Sequence, residues 1–220
     1  SVLRPIHEFA ARNEKKLYFN VRNFPWEFFI GEGQTFSMTV TLNSDTFTHS
    51  KYVLHKTKDG IIDRLRDLRG ERPSIDRANP DIRLNIHVLE RKFTISLDSS
   101  GEPLFKRYYR DPDARAPINE CLAAGMVMLA GWNGETPFYN PMCGSGTIGI
   151  EAAMIACNKA PNLERADFSF MHWPEFSSDL FTEVKASLMK LSSKNKHPIV
   201  LCDVNPSAFR RAQSSIRRAG

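Results

Sequence analysis

Cysteine is scarce in this sequence: four residues in 220, Cys121, Cys143, Cys157 and Cys202. None forms a Cys-x-x-Cys pair and no histidine stands beside them at zinc-ligand spacing, which argues against a metal site and against a disulfide scaffold. Three sit in strongly apolar surroundings, where cysteine acts as a small buried hydrophobe. A reduced, cytoplasmic protein without a metal is the expectation. Long apolar runs are lacking too. No stretch approaches the roughly 18 residues that would cross a bilayer, and no charged-then-apolar leader opens the chain, so neither membrane insertion nor secretion is expected. There is no internal repeat and no low-complexity tract.

What is present is an ordinary globular composition, 41% hydrophobic and 25% charged, in a chain long enough for one large domain or two small ones. Net charge is +5. Residues 1–33 carry 5 basic and 4 acidic side chains, residues 34–110 carry 14 and 10, and residues 111–220 carry 11 of each. The excess therefore lies in the first half, where clustered Lys and Arg favour an anionic polymer by releasing phosphate counterions.

Periodicity divides the chain. Residues 1–33 read as a helix or strand remnant followed by an aromatic cluster, Phe24, Pro25, Trp26, Phe28 and Phe29. Phe36, Met38, Val40 and Leu42 alternate with polar residues, the period of a half-buried strand. Tyr52, Val53, Ile61, Ile62, Leu65 and Leu68 recur at helical spacing from Ser50 to Arg69, and Gly70 supplies a stop. Two short strands follow, Ile82–Val88 and Phe93–Leu97, joined by a turn at Glu90-Arg91. Strand, helix and hairpin make an α+β module. Asp98–Pro117 reads as linker, punctuated by Ser-Ser-Gly, Asp-Pro and Ala-Pro. Beyond it helices are expected at Ile118–Trp132, Gly144–Asn158 and Pro206–Arg218, with strands at 137–140 and 199–202. Strands alternating with helices imply a parallel, doubly wound sheet.

The residues that carry chemistry are Asn140, Pro141, Met142, Cys143, Gly144, Ser145, Gly146 and Thr147. A strand delivers the chain into a glycine turn, where backbone can approach a ligand closely, and the following helix points its positive end at the same place. Read as having only two glycines, without the third that a dinucleotide fingerprint carries at a set offset, and with no Gly-Lys-Ser/Thr, it is taken as neither a dinucleotide fingerprint nor a phosphate loop. A ligand carrying an amino-acid carboxylate and an adenosine fits better than a triphosphate. Asp203, directly after the apolar Ile199–Cys202, stands where a doubly wound sheet places an acceptor for ribose hydroxyls. It lies 59 positions after Gly144, where a bare βαβ unit needs about 20. Ala160–Lys196 is the implied insertion, with Phe168, Phe170, Trp173 and Phe176 as its own small core.

At this point a resemblance emerges. Asn140–Thr147, Ile150-Glu-Ala-Ala, Ala160-Pro-Asn-Leu-Glu-Arg165 and Phe170-Met-His-Trp-Pro-Glu-Phe176 closely resemble the bacterial THUMP-containing methyltransferases that modify guanine N2 in 23S ribosomal RNA. Leu104-Phe-Lys-Arg-Tyr-Tyr-Arg110 and Ala116-Pro-Ile-Asn-Glu120 are similar to that family's junction between RNA-binding and catalytic domains. Thr48-His-Ser-Lys51, Asp59-Gly-Ile-Ile-Asp63, Arg72-Pro-Ser-Ile-Asp76 and Leu97-Asp-Ser-Ser-Gly101 match its THUMP domain. The chain departs from the pattern in having Asn140 for Asp, Tyr108 for Gly, and Asp203-Val-Asn for Asp-Ile-Asp.

The resemblance implies an α+β THUMP-like RNA-binding region followed by the first half of a Rossmann-like class I methyltransferase domain. It also implies S-adenosylmethionine (SAM) as cofactor, held by Asn140–Gly146 and Asp203, and ribosomal RNA as partner. The expected boundaries are 1–33, a remnant of the family's N-terminal ferredoxin-like domain; 34–110, THUMP-like; and 111–220, methyltransferase. The family's catalytic Asn/Asp-Pro-Pro-aromatic loop occurs nowhere here, so no catalytic residue is assigned and the chain is expected to be an interior piece. Lys51, Lys56, Lys58, Arg64, Arg66, Arg72 and Arg77 are the candidate phosphate contacts. Trp26, Phe28 and Phe29 are expected to pack between small domains, with base stacking as the other use. The rival reading is an RNA-binding adaptor that keeps the cofactor fold without catalysis; a nicotinamide oxidoreductase is disfavoured by the two-glycine reading, which counts no third glycine at the dinucleotide offset, and by the long stretch before Asp203.

Overall fold

A computed structural model describes residues 1–110 and 117–220, and the chain divides into two compact units. One comprises Ser1–Glu102 with Ala166–Ser177; the other comprises Pro103–Arg165 with Ser178–Gly220.

In the first unit β1 (Leu3–Ala10), α1 (Glu14–Arg22) and a 3₁₀ turn (Trp26–Phe28) precede β2 (Phe36–Asn43), α2 (Ser50–Arg69), β3 (Ile82–Leu89) and β4 (Lys92–Asp98). The strands form one sheet in the order β1-β4-β3-β2, parallel at β2-β3 and antiparallel elsewhere. The alternation in the sequence has its physical counterpart here. Phe36, Ile82, Leu84, Ile86, Val88, Phe93, Ile95 and Leu97 enter the core from one face, and Val53, Ile61 and Leu65 of α2 cover them. Helix α2 stops at Gly70, whose left-handed φ of 75° lets its N–H reach the Arg66 carbonyl at 2.8 Å.

Residues 1–33 are not a separate remnant. Strand β1 pairs with β4 from Leu3 to Ala10, and Leu17, Val21, Trp26 and Ile30 lie in the same core as the sheet. The boundary expected at residue 33 therefore falls inside one folded unit. Trp26 anchors it: the ring is fully buried and its indole N–H donates to the Val21 carbonyl at 2.7 Å. Phe29 packs partly buried on this core, whereas Phe28 is exposed. Helix α1 rests on α2 at Gly60, where an added Cβ would meet Val21 Cγ1 at 2.9 Å and the Arg22 backbone nitrogen at 3.3 Å. Gly60→Leu should cost about 1–3 kcal/mol by overpacking, read as an earlier denaturant midpoint; an unchanged midpoint contradicts this packing.

The second unit holds α3 (Glu120–Leu129), β5 (Phe138–Asn140), α4 (Thr147–Ala156), α5 (Ser178–Leu191), β6 (Ile199–Leu201) and α6 (Pro206–Ala219). Strands β5 and β6 are parallel, with Asn140 opposite Leu201. Helix α4 starts at Thr147, not at Gly144, because Gly144 (φ 56°) and Gly146 (φ 84°) are left-handed and cannot continue a right-handed helix.

The insertion also departs from expectation. It contains α5, which its sequence did not announce, and its aromatics are not a core of their own. Phe170 does stack on Phe168 and meet Phe176, but residues 166–177 belong to the first unit. Trp173 packs on that unit's core, the Phe170 N–H donates to the Ser99 carbonyl at 3.1 Å, Gln34 donates to the His172 carbonyl at 2.8 Å, and Arg4 pairs with Glu175.

Candidate functional site

The cofactor candidate is built where β5 and β6 end side by side. After Asn140 the chain turns through Pro141 and exposed Met142, and buried Cys143 then donates its N–H to the Cys202 carbonyl at 2.8 Å. The Gly146 N–H closes the turn on the Cys143 carbonyl at 2.8 Å, and Ile150 begins the helical bonding to Gly146 at 2.9 Å. Among the described residues a Cβ at Gly144 would meet nothing within 4 Å, so they leave the space above the turn open. Ser145 and Thr147 face each other, with hydroxyls 3.3 Å apart. Gly149 packs against β6, where a Cβ would collide with the Leu201 side chain. Gly144, Gly146 and Gly149 thus complete a Gly-x-Gly-x-x-Gly spacing that the two-glycine reading of the octapeptide overlooked. The glycines alone do not separate this turn from a dinucleotide site.

Asp203 is not a free acceptor waiting at the strand end. One carboxylate oxygen accepts the Gly144 N–H at 2.9 Å and the other accepts the Asn205 N–H at 2.8 Å. It therefore braces the glycine turn. The Asn205 and Gly144 bonds hold its carboxyl below the usual carboxylate range. A lowered folded pKa means that the brace is present above the ordinary carboxylate pKa and is lost only as pH falls through the lowered value. A carboxylate has about four lone-pair sites, so about two remain for ligand hydroxyls. The Asn140 side-chain nitrogen is buried with no hydrogen-bond partner among the described residues. Open space over Gly144, spare acceptor capacity on Asp203 and an unsatisfied donor on Asn140 fit an adenosine-and-amino-acid ligand.

A second cluster lies in what the sequence presented as linker. Residues 111–116 of that segment lie outside the described residues, but Arg107, Tyr109 and Arg110 are bound firmly. Arg107 pairs with Glu151 of α4, and the buried Tyr109 hydroxyl donates to the other Glu151 oxygen at 2.7 Å. Arg110 Nη2 lies 2.7 Å from the buried Glu120 carboxylate and donates to the Ile118 carbonyl at 2.8 Å. Burial raises the Glu151 carboxyl while Tyr109 and Arg107 oppose the shift; burial and the Glu151 bond push the Tyr109 hydroxyl up. Residues 107–110 therefore fasten the segment to α3 and α4. A lone acid inside the apolar run Ile150-Glu-Ala-Ala was the signal that could have revealed this.

The basic candidates split into two groups. Arg64 grips Glu27 through two bonds of 2.6 and 3.2 Å, Arg66 lies 2.8 Å from Asp63, and Lys58 lies 4.0 Å from Asp59. Lys51, Arg72 and Arg77 are exposed, and the Lys56 ammonium sits 5.9 Å above the Tyr52 ring. Among the described residues no group of three or more His, Cys, Asp or Glu side chains is placed to hold a metal ion, and no helix is long and apolar enough to cross a membrane.

Comparison with known proteins gives these features a context. The profile of the RMKL-like methyltransferase domain matches residues 107–220, and that of the THUMP domain matches residues 11–98. The chain is similar to SMU.472, solved in complex with SAH, at 29% identity and a TM-score of 0.88, covering all of this chain and 59% of that one. It is similar to a predicted N6-adenine-specific DNA methylase from Listeria monocytogenes at 27% identity and a TM-score of 0.87, covering 98% and 57%. TrmN from Thermus thermophilus shares the fold at 16% identity and a TM-score of 0.63, covering 97% and 52%. The chain thus spans somewhat more than half the length of these relatives. Its second unit carries the glycine turn and Asp203 within the matched 107–220, its first unit carries the matched THUMP domain, and the chain belongs to the family of RMKL-like methyltransferase domains.

Proposed function

We propose that this chain contributes the cofactor site and the RNA-gripping unit of a cytoplasmic, SAM-dependent RNA methyltransferase that acts on guanine N2 of 23S ribosomal RNA. The observation that carries the reading is the open glycine turn braced by Asp203 at the end of the neighbouring parallel strand, within a methyltransferase-family match. SAH in SMU.472, the form that SAM takes once its methyl is gone, supports SAM as the cofactor. Asn140, the backbone of Gly144–Gly146 and the spare lone pairs of Asp203 would hold it, and SAM supplies an electrophilic methyl. The THUMP match and the basic excess of the first half favour RNA over the DNA named for the Listeria relative. The ribosomal target rests on the Trp173-Pro-Glu-Phe176 and THUMP-segment resemblance.

Asp203→Ala should weaken SAM binding by the full-length protein by about tenfold or more, because a charge-assisted hydrogen bond to the ligand is lost. Unchanged affinity in calorimetry removes Asp203 from the site. RNA binding should reside in the first unit, with Lys51, Lys56, Arg72 and Arg77 contributing more than Arg64 and Arg66, whose charges are already matched by Glu27 and Asp63. Affinity for ribosomal RNA fragments should fall with salt by a log–log slope of about 0.7–0.9 per phosphate contact. Salt-independent binding contradicts this part of the reading.

A further inference from the structure

Two cysteines are joined through their backbones at the glycine turn. Cys143 lies in the turn after β5 and Cys202 directly follows β6. The Cys143 N–H donates to the Cys202 carbonyl at 2.8 Å, and the Cys202 N–H donates to the Asn140 carbonyl at 2.9 Å. A direct backbone hydrogen bond between two residues brings their Cα atoms within the range in which disulfides form. Both thiols are free; Cys143 is buried and Cys202 exposed. The only bond that Cys143 Sγ makes among the described residues is a weak one to the Gly144 carbonyl at 3.8 Å, so nothing strong holds the sulfur in place. Burial pushes the Cys143 thiol up, and the Asp203 carboxylate and the Cys202 thiol push it further. The exposed Cys202 is therefore the first to react.

We propose that Cys143 and Cys202 form a reversible disulfide and that this bridge closes the glycine turn to its cofactor. The oxidant is a low-molecular-weight disulfide of the glutathione class. The Cys202 thiolate attacks one sulfur of the oxidant, forming a mixed disulfide and releasing one thiolate. The Cys143 thiolate then attacks the Cys202 sulfur and releases the second thiolate. The protein loses two protons and two electrons, and the oxidant gains two electrons and becomes two thiols. Bridging draws Cys143 from its buried seat toward the exposed thiol. That turns the Cys143–Gly144 peptide, whose N–H is the one that Asp203 braces. The effect on the ligand rests on the cofactor reading above; formation of the bridge does not.

The test treats the full-length encoded protein with oxidised glutathione, maps its peptides without reduction, and titrates SAM before oxidation, after it, and after dithiothreitol. The expected result is a linked peptide pair containing Cys143 and Cys202, a fall in SAM affinity of at least about tenfold, equivalent to 1.4 kcal/mol, and recovery on reduction. Cys202→Ser should form no link and should keep its SAM affinity under oxidant. A stable glutathione adduct on Cys202 without the internal link overturns the proposal, as does a link that leaves SAM affinity unchanged. If the reduced protein binds no SAM yet still forms the link, the cofactor reading fails and the disulfide stands.

Discussion

Glu151→Ala is expected to destabilise the second unit by about 3–5 kcal/mol, because it breaks a buried ion pair and leaves one partner behind. The Glu151 side chain is 1% exposed and that of Arg107 is 10% exposed, so water cannot take over the lost contact. The same change strips the buried Tyr109 hydroxyl of its acceptor. The loss follows from desolvation: removing both charges at once is far cheaper than removing one. A double variant, Glu151→Leu with Arg107→Met, should therefore recover the part of the loss that comes from the stranded charge, while the Tyr109 hydroxyl stays unpaired. The check is chemical denaturation of the three proteins. A Glu151→Ala midpoint equal to that of the parent would show that residues 107–110 are not fastened as described, and a double variant as unstable as the single would show that the two charges do not act as a pair.

Gly144→Val should act on binding and spare the fold. None of the described residues lies within 4 Å of the position its Cβ would take, so the side chain does not collide with them. It does occupy the open space above the turn, and it places a β-branched residue at φ 56°, where such residues are strained by about 1–2 kcal/mol. The expected result is loss of SAM affinity on the order of 100-fold, about 3 kcal/mol, with a circular dichroism spectrum like the parent's. Retained affinity would move the ligand away from this turn. Gly144→Ala should lie between the two.

The contrast between what periodicity revealed and what it hid has a physical basis. Strand β2, helix α2 and the β3–β4 hairpin were legible because each buries one face, so that burial prints a period of two or near four on the sequence. Strand β1 is largely exposed along an edge and prints no such pattern, which is why residues 1–33 read as a remnant although β1 completes the sheet. The insertion misled for another reason: Phe168, Phe170, Trp173 and Phe176 announce burial, but a sequence does not say against what, and Trp173 packs on the first unit. At the site, the glycine turn and Asp203 were visible as residue types at strand ends. Their mutual bond was not, because Gly144 and Asp203 are 59 positions apart and only the parallel pairing of β5 with β6 brings them together. The Arg107–Glu151 and Arg110–Glu120 pairs were hidden in a segment whose prolines and aspartates suggested a loose connection.

The central claim, a SAM-dependent enzyme acting on guanine in ribosomal RNA, is tested most directly by label transfer. The full-length protein is incubated with methyl-labelled SAM and undermethylated ribosomal RNA, with DNA in a parallel reaction, and the products are digested to nucleosides. The account predicts label in RNA as N2-methylguanosine and none in DNA. Label in N6-methyladenine of DNA would contradict the substrate. SAM and RNA binding without any transfer would contradict catalysis and leave the protein as an RNA-binding adaptor.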